Sequence, residues 1–549
     1  MIKKFFANNL YLIALWILCA IGLFFYTGHY SNILLDVGRE VYYPERILSG
    51  KVLYKDMFDI YGPLAYQWNA VLYKIFGINL KTLYAAGILC AFAIVNAIFF
   101  IARRFLSDFL GFAIGIFTIA TGVCAVHLFN YTFPYSQAML YGTVLSLYSL
   151  LALLEFNKSG RNKFLYISAF LSGAAAICKY DFMLFAAVVL VNIALTKNFK
   201  IILKALGAFL VVPVISFGTL FIQGLKFSDL VENAGIINAM VHTKSLDYFY
   251  RHSGVYFSIP ILIYWVVNFI KSALGFGIIT CSIKYFQNNR ELGTILLLIG
   301  IVAAYYLTNP AIFAFLIGIT ILLAILRINN IKNNKLLLIL IFSALALSLK
   351  SLWGLTPLNY GNYYCAIVLT AFFALMFTVL DKKYQKAAGI YLIVVSLWFV
   401  IFSANQLKQL NFKIFSKYGV IHTSAEFGKP VNDVIQFLNS KIGAKKVSVF
   451  PEGLIINFLS DSSRISDDFY NSLLPLYTET FGDNVLIKHF KENPPDYMIF
   501  SNQAMQDYNT GYICRDYALD FCAFVTQNYK PAATFGKDFG FVIFEKRPN

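Results

Sequence analysis

The chain has 549 residues, of which 59% are hydrophobic, 17% aromatic and 13% charged, with a mean hydropathy of +0.66. Soluble domains hold about 45–50% apolar and about 25% charged residues, so the chain reads as an integral membrane protein, and its long unbroken apolar runs exclude the two-residue alternation of a β-barrel. The formal net charge of +17 invites a nucleic-acid partner, but the basic residues gather in short loops between apolar runs, as a membrane topology requires.

The N-terminal stretch MIKKFFANNLYLIALWILCAIGLFFY starts positive, like a signal peptide. Its apolar run is too long for one and no A-x-A-like cleavage site follows, so it reads as a retained first span. Apolar windows near 20 residues then predict about thirteen spans. These are 9–28, 80–101, 106–125, 136–156, 164–179, 182–197, 201–222, 256–282, 292–308, 310–326, 335–353, 364–381 and 388–405. Lys3, Lys4, Arg103, Arg104, Lys158, Arg161, Lys163, Lys197, Lys200, Lys204, Lys284, Arg290, Arg327, Lys332, Lys335, Lys382, Lys383 and Lys386 all fall on one side if these spans alternate. The positive-inside rule makes that side, and the N-terminus, cytoplasmic. Loops 29–79, 126–135, 223–255 and 354–363 then face outward, as does everything after about residue 406.

That last stretch has the composition of a soluble domain. KVSVF (446–450), DYMIF (496–500) and FVIFEK (541–546) read as strands, while 432–442 and 515–529 have helical periodicity. The predicted fold class is a polytopic α-helical membrane protein, with a transmembrane module at 1–405 and an exported α/β domain at 406–549. Cys514 and Cys522, eight residues apart in one expected helix, would stand about 12 Å apart, too far to bridge, so two free thiols are expected. Cys19, Cys90, Cys124, Cys178, Cys281 and Cys365 lie in or beside apolar runs, where a thiol serves as a small hydrophobe, and no metal-ligand spacing appears.

The outward loop LLDVGREVYYPERILSGKVLYKDMFDIYGPL (34–64) packs Asp36, Glu40, Asp56 and Asp59 against the end of the first span. Segments 39–49 and 63–76 mix aromatic with polar residues, as helices lying in the interface plane do. If residues 36–49 are helical, Asp36, Arg39 and Glu40 share one face. Asp36 then has two readings: a helix N-cap, or a general base whose pKa Glu40 raises and Arg39 lowers. Lys179, at the outer membrane edge, either snorkels to the headgroups or has an anionic partner.

The order D-x-G-R-E … P-x-R-I-L-x-G-x-x-L-Y-x-D … Y-G-P-L in this loop resembles the first outward loop of the C-type (GT-C) membrane glycosyltransferases. That group includes protein O-mannosyltransferases, lipid A aminoarabinose transferases and the RgtA/B/C/D-like proteins. FPYSQAML (133–140) and LSGAAAICKYD (171–181) resemble further elements of the same group in the same order, and PEGLIINFLSDSSR (451–464) the exported tail of some bacterial members. The resemblance implies an enzyme of a bacterial-type inner (plasma) membrane that moves a hexose or pentose from a polyprenyl-phosphate carrier to an acceptor hydroxyl on the outer face, with inversion. It makes Asp36 the general base, Lys179 and Arg39 the ligands of the carrier phosphate, and Glu40, Asp56, Tyr54, Tyr135 and Asp181 candidate substrate-binding residues. Partners are then the lipid-linked donor, a lipid or glycan acceptor rather than a protein, and membrane lipids, with no nucleic acid. No cofactor is expected, although the loop carboxylates offer oxygen ligands to a divalent cation. The chain departs from the pattern in the loop before the twelfth span, 353–364, which carries no charge where relatives place His or Arg. Asn359, Asn362 and Tyr363, or His127 with Tyr131 and Tyr135, are the polar groups that would substitute there. In the exported domain Glu452 and Arg464 are either glycan contacts or structural ion-pair formers.

Two other classes fit a multi-pass chain. A transporter or lipid-linked glycan flippase would show internal repeats and charges near mid-bilayer, and no repeat is evident. A glycan polymerase or ligase would carry a long late loop in place of a soluble C-terminal domain. The acid cluster of the first loop favours the transferase.

Overall fold

The structure, a computed structural model, describes residues 9–286, 288–441, 445–461 and 465–548; Lys3, Lys4 and Arg464 lie outside them. Each of the thirteen apolar segments overlaps a helix. Among the described residues six helices are long and apolar enough to cross a membrane: Leu80–Ala102, Gln137–Ser159, Phe199–Ile222, Ile259–Phe286, Arg290–Leu307 and Lys382–Leu407. Shorter apolar helices, such as Leu10–Tyr26, Asn162–Cys178 and Asn362–Met376, accompany them. Phe199–Ile222, Ile259–Phe286 and Arg290–Leu307 leave most of their apolar surface uncovered by protein. Apolar helices of this length are stable with such exposure only where hydrocarbon covers them. The chain is a multi-pass membrane protein.

Local sequence explains where the helices stop. Ser136 Oγ accepts the Met139 N–H at 3.3 Å and starts Gln137–Ser159, and Gly160, at φ +70°, ends it in the left-handed conformation that glycine adopts without strain. The loop after Leu10–Tyr26 forms two helices, Val37–Leu48 and Leu64–Phe76. Pro44 sits inside the first of these helices. Gly38 lets the C-terminal domain approach, because a Cβ there would meet the backbone of Leu454 and Ile455.

Among the described residues, strands occur only after the last apolar helix. β1 (Phe412–Ser416) and β2 (Gly419–Thr423) form an antiparallel hairpin that the sequence reading missed. The hairpin ties back to the first helix, with the Tyr30 N–H donating to His422 O at 2.9 Å and the His422 N–H to Gly28 O at 2.8 Å. β3 (Val447–Phe450) pairs in parallel with β4 (Tyr497–Ser501). β6 (Gly540–Lys546) runs antiparallel to both β4 and β5 (Tyr529–Gly536), giving the order β3-β4-β6-β5. β5, also missed, carries Pro531 beside a register shift on the sheet edge, where proline removes no needed donor.

The expectation of two free thiols is corrected. Cys514 and Cys522 form a disulfide with a Cα–Cα distance of 5.5 Å. The helix begins only at Leu519, and the chain turns sharply before it, with Cys514 at φ +65° and Ala518 at φ +58°. The 12 Å separation of a continuous helix therefore never arises.

Candidate active site

The first loop, the Lys179 junction, the turn at Lys350 and the C-terminal domain meet around a cavity of about 250 Å³. Asp36, Arg39, Tyr61, Lys179, Asp181, Lys350 and Tyr360 supply its polar wall. Leu246 and Phe249 of the Lys244–His252 helix, with Leu473 and Leu476, supply an apolar one, and Tyr508 closes it from the C-terminal domain.

Asp36 precedes the Val37–Leu48 helix and makes no side-chain capping bond. Its carboxylate instead pairs with Arg39 Nη2 at 3.0 Å and keeps 30% of its side-chain surface open. Burial raises the Asp36 pKa above the ordinary carboxylate value, against the attraction of Arg39 and Lys179. Arg39 is buried, lies 5.0 Å from the Tyr61 ring, and has an Nε with no hydrogen-bond partner among the described residues. Such an unspent donor is costly unless something fills it.

On the opposite side, Lys179 follows the Asn162–Cys178 helix and is 3% exposed. Its ammonium donates to Tyr135 Oη at 2.7 Å, sits 4.4 Å from the Tyr61 ring and pairs with Asp181 at 3.5 Å. Lys350 reaches the same Asp181 carboxylate at 3.2 Å and lies 4.5 Å from the Tyr360 ring. The Tyr61 ring thus has two cations near it, Arg39 and Lys179, which its π-electrons attract. The cavity gathers three cations against two carboxylates.

Of the other residues singled out in the sequence, Tyr135 reaches the site through Lys179. Glu40 is fully buried and does not line the cavity. It accepts the Gln137 N–H at 2.7 Å and the Tyr66 hydroxyl at 3.3 Å, which places its carboxylate at the N-terminus of the Gln137–Ser159 helix. Burial raises its pKa to about 8, opposed by Arg39 and the Gln137 N–H. Asp56 closes its own turn by accepting the Val52 N–H at 2.8 Å. Tyr54 donates to Tyr61 O at 2.5 Å and so braces the Tyr61 backbone from behind. Asp59 accepts the N–H groups of Ile60 and Tyr61 at 2.6 and 3.1 Å. The amide of Asn362 donates to Thr121 O and Phe129 O, Tyr363 Oη donates to Asn130 O at 3.4 Å, Asn359 accepts the Gly361 N–H at 2.7 Å, and His127 accepts the Phe129 N–H at 3.1 Å. These groups knit loops together.

Two charged residues were not foreseen at the site, Lys350 on the cavity wall and Glu452 behind Asp36. Lys350 sits in the short turn Leu349–Ser351 at the end of an apolar helix, inside the predicted span 335–353, and supplies the cation that loop 353–364 lacks. Glu452, whose carboxylate binds the Asp36 backbone at 3.0 Å, is 416 residues away in sequence; no local signal pairs them. Among the described residues there is no group of three or more His, Cys, Asp or Glu side chains that could hold a metal ion.

These features define a multi-pass membrane protein with a mixed acid–cation cavity closed by its C-terminal domain. No family model matches the chain, and no curated protein matches it. Among solved structures it is similar to ArnT from Cupriavidus metallidurans bound to undecaprenyl phosphate, at 14% identity over 98% of this chain and 97% of that one, with a TM-score of 0.45. It is also similar to the Archaeoglobus fulgidus oligosaccharyltransferase complex with zinc and sulfate, at 10% identity over 88% of this chain and 67% of that one, with a TM-score of 0.46. At such identities no residue role transfers from either.

Proposed function

We propose that the chain is a membrane glycosyltransferase that takes a sugar from a polyprenyl-phosphate carrier and delivers it to an acceptor hydroxyl on the outer face of a bacterial-type inner membrane. The observation that carries this reading is the convergence of Asp36 with Arg39, Lys179 and Lys350 on one cavity where hydrophobic helices end. A lipid phosphate needs cations at that depth, and a hydroxyl nucleophile needs a carboxylate beside it. The order of first-loop motifs supports the same reading.

In this mechanism Asp36 accepts the acceptor hydroxyl proton as the oxygen attacks the anomeric carbon. The bond from that carbon to the carrier phosphate oxygen breaks, and polyprenyl phosphate leaves with the bonding electron pair. Attack from the face opposite the phosphate inverts the sugar. Arg39, through its unpartnered Nε, Lys179 and Lys350 stabilise the charge that grows on the leaving phosphate. The raised pKa of Asp36 makes it a stronger base than a free carboxylate, while its pairing with Arg39 keeps a population ionised.

The test is to reconstitute the protein in vesicles with radiolabelled polyprenyl-phosphate hexoses and pentoses. The proposal expects label to leave the lipid carrier and to appear on an acceptor, with one polyprenyl phosphate released per sugar. Label that crosses the bilayer while still attached to its carrier would support the flippase reading instead.

A further inference from the structure

Glu452 follows β3 in the C-terminal domain and is 5% exposed. Its Oε2 accepts the backbone N–H of Asp36 at 3.0 Å, and its Oε1 accepts that of Leu473 at 3.3 Å. Among the described residues no cation lies within ion-pair distance of it. A carboxylate buried this way is costly unless its position serves something, because backbone donors replace its hydration only in part.

The two donors are both residues of positive φ, Asp36 with ψ of −44° and Leu473, in the left-handed helical region, with ψ of 25°. Asp36 and Leu473 both have φ of +57°, a region that side chains other than glycine and asparagine seldom occupy and that neighbours must hold in place. Asp36, with ψ of −44°, is the centre of a three-residue γ-turn closed by the Val37 N–H to Leu35 O at 2.5 Å, the strained hand of that turn. Both residues line the cavity. One carboxylate therefore clasps two strained positions on two walls of the same site.

We propose that Glu452 is a positioning residue for the transfer reaction, fixing the turn that aims the Asp36 carboxylate into the cavity. It makes the C-terminal domain part of the reaction centre. The inference rests on the reading of Asp36 as the base. Among the described residues Glu452 hydrogen-bonds only to backbone N–H groups, so its loss misaligns the base while the carrier phosphate still meets Lys179 and Lys350, which stand on other elements.

The experiment compares full-length wild type, Glu452→Gln, Glu452→Ala and Asp36→Asn, each checked for folding by thermal unfolding and size-exclusion chromatography. Two quantities are read: the rate of sugar transfer in membranes, and the Kd for polyprenyl phosphate alone. Glu452→Gln, nearly the same size, offers an amide N–H₂ to one of the two backbone donors and is expected to slow transfer about tenfold or more. Its Kd for polyprenyl phosphate should stay within about threefold of wild type. Glu452→Ala is expected to be slower still. If it does not fold, the Gln variant decides. A folded Gln variant that transfers at the wild-type rate, or that loses transfer and carrier binding in equal proportion, overturns the inference. If Asp36→Asn is inactive in the same assay, that result leaves the base reading standing. An Asp36→Asn protein that transfers normally removes the base reading itself.

Discussion

At the scale of single residues, the charges on and behind the cavity wall are unevenly arranged. Asp36, Glu40 and Glu452 are three carboxylates around one guanidinium, Arg39, and burial raises the pKa of each. The Glu452 value rises to about 7, through burial and then the charge of Asp36. A general base works only when deprotonated, so transfer should increase with pH through a limb lying above the usual carboxylate pKa of about 4. Arg39 and Lys179 hold the Asp36 value down, while Glu452, Asp507 and Tyr508 face it with like charge or the capacity for it. Removing the guanidinium as Arg39→Met should therefore move the acid limb to higher pH, and a pH–rate profile measures it. An unmoved limb would separate Arg39 from the titration of the base. Much of this scale was legible in the sequence. The spacing of Asp36, Arg39 and Glu40 put them on one face, where the first two pair; the membrane-edge position of Lys179 asked for an anionic partner, and the resemblance of residues 171–181 added Asp181. Lys350 was hidden by the hydrophobic residues around it, since a window that averages hydropathy absorbs a single terminal lysine into the span.

At the scale of elements, the apolar runs announced the helices because the bilayer imposes length and composition together. The strands were harder to read. The sequence showed β3, β4 and β6, which are largely buried and rich in β-branched and aromatic residues. It did not show β5, exposed along most of its length and interrupted by Pro531, nor the short β1–β2 hairpin, whose partner is the end of the first helix. The disulfide was misjudged because a helical pattern was extended five residues too early, through a turn made by Cys514 and Ala518. The seam between the Val37–Leu48 helix and the Leu454–Leu459 helix depends on the missing side chain of Gly38, whose Cβ would collide with Leu454 and Ile455. Gly38→Val should lower stability by about 1–3 kcal/mol and slow transfer by displacing the turn at Asp36. Thermal unfolding beside a transfer assay checks both, and a Val variant as stable and active as wild type would show that the seam yields without consequence.

At the scale of the whole molecule, the C-terminal domain is bound to the first loop at several points. Asp468 accepts Arg46 Nε and Nη2 at 2.8 and 2.7 Å and the Tyr42 hydroxyl at 3.0 Å. Glu479 accepts the N–H groups of Lys244 and Ser245 at 2.6 and 3.1 Å, which fastens the N-terminus of the Lys244–His252 helix beside the cavity. The sequence separated a membrane module from a soluble tail by composition, but contacts spanning more than 400 residues leave no trace in composition or periodicity. The site is therefore a junction of parts, and its central chemical claim is narrow: the Asp36 carboxylate removes the acceptor proton. The most direct measurement is the transfer of label from radiolabelled polyprenyl-phosphate sugars by membranes containing Asp36→Asn at wild-type abundance. Loss of the positioned base should reduce the rate by about 100-fold or more while polyprenyl phosphate still binds; transfer at the wild-type rate would contradict the account.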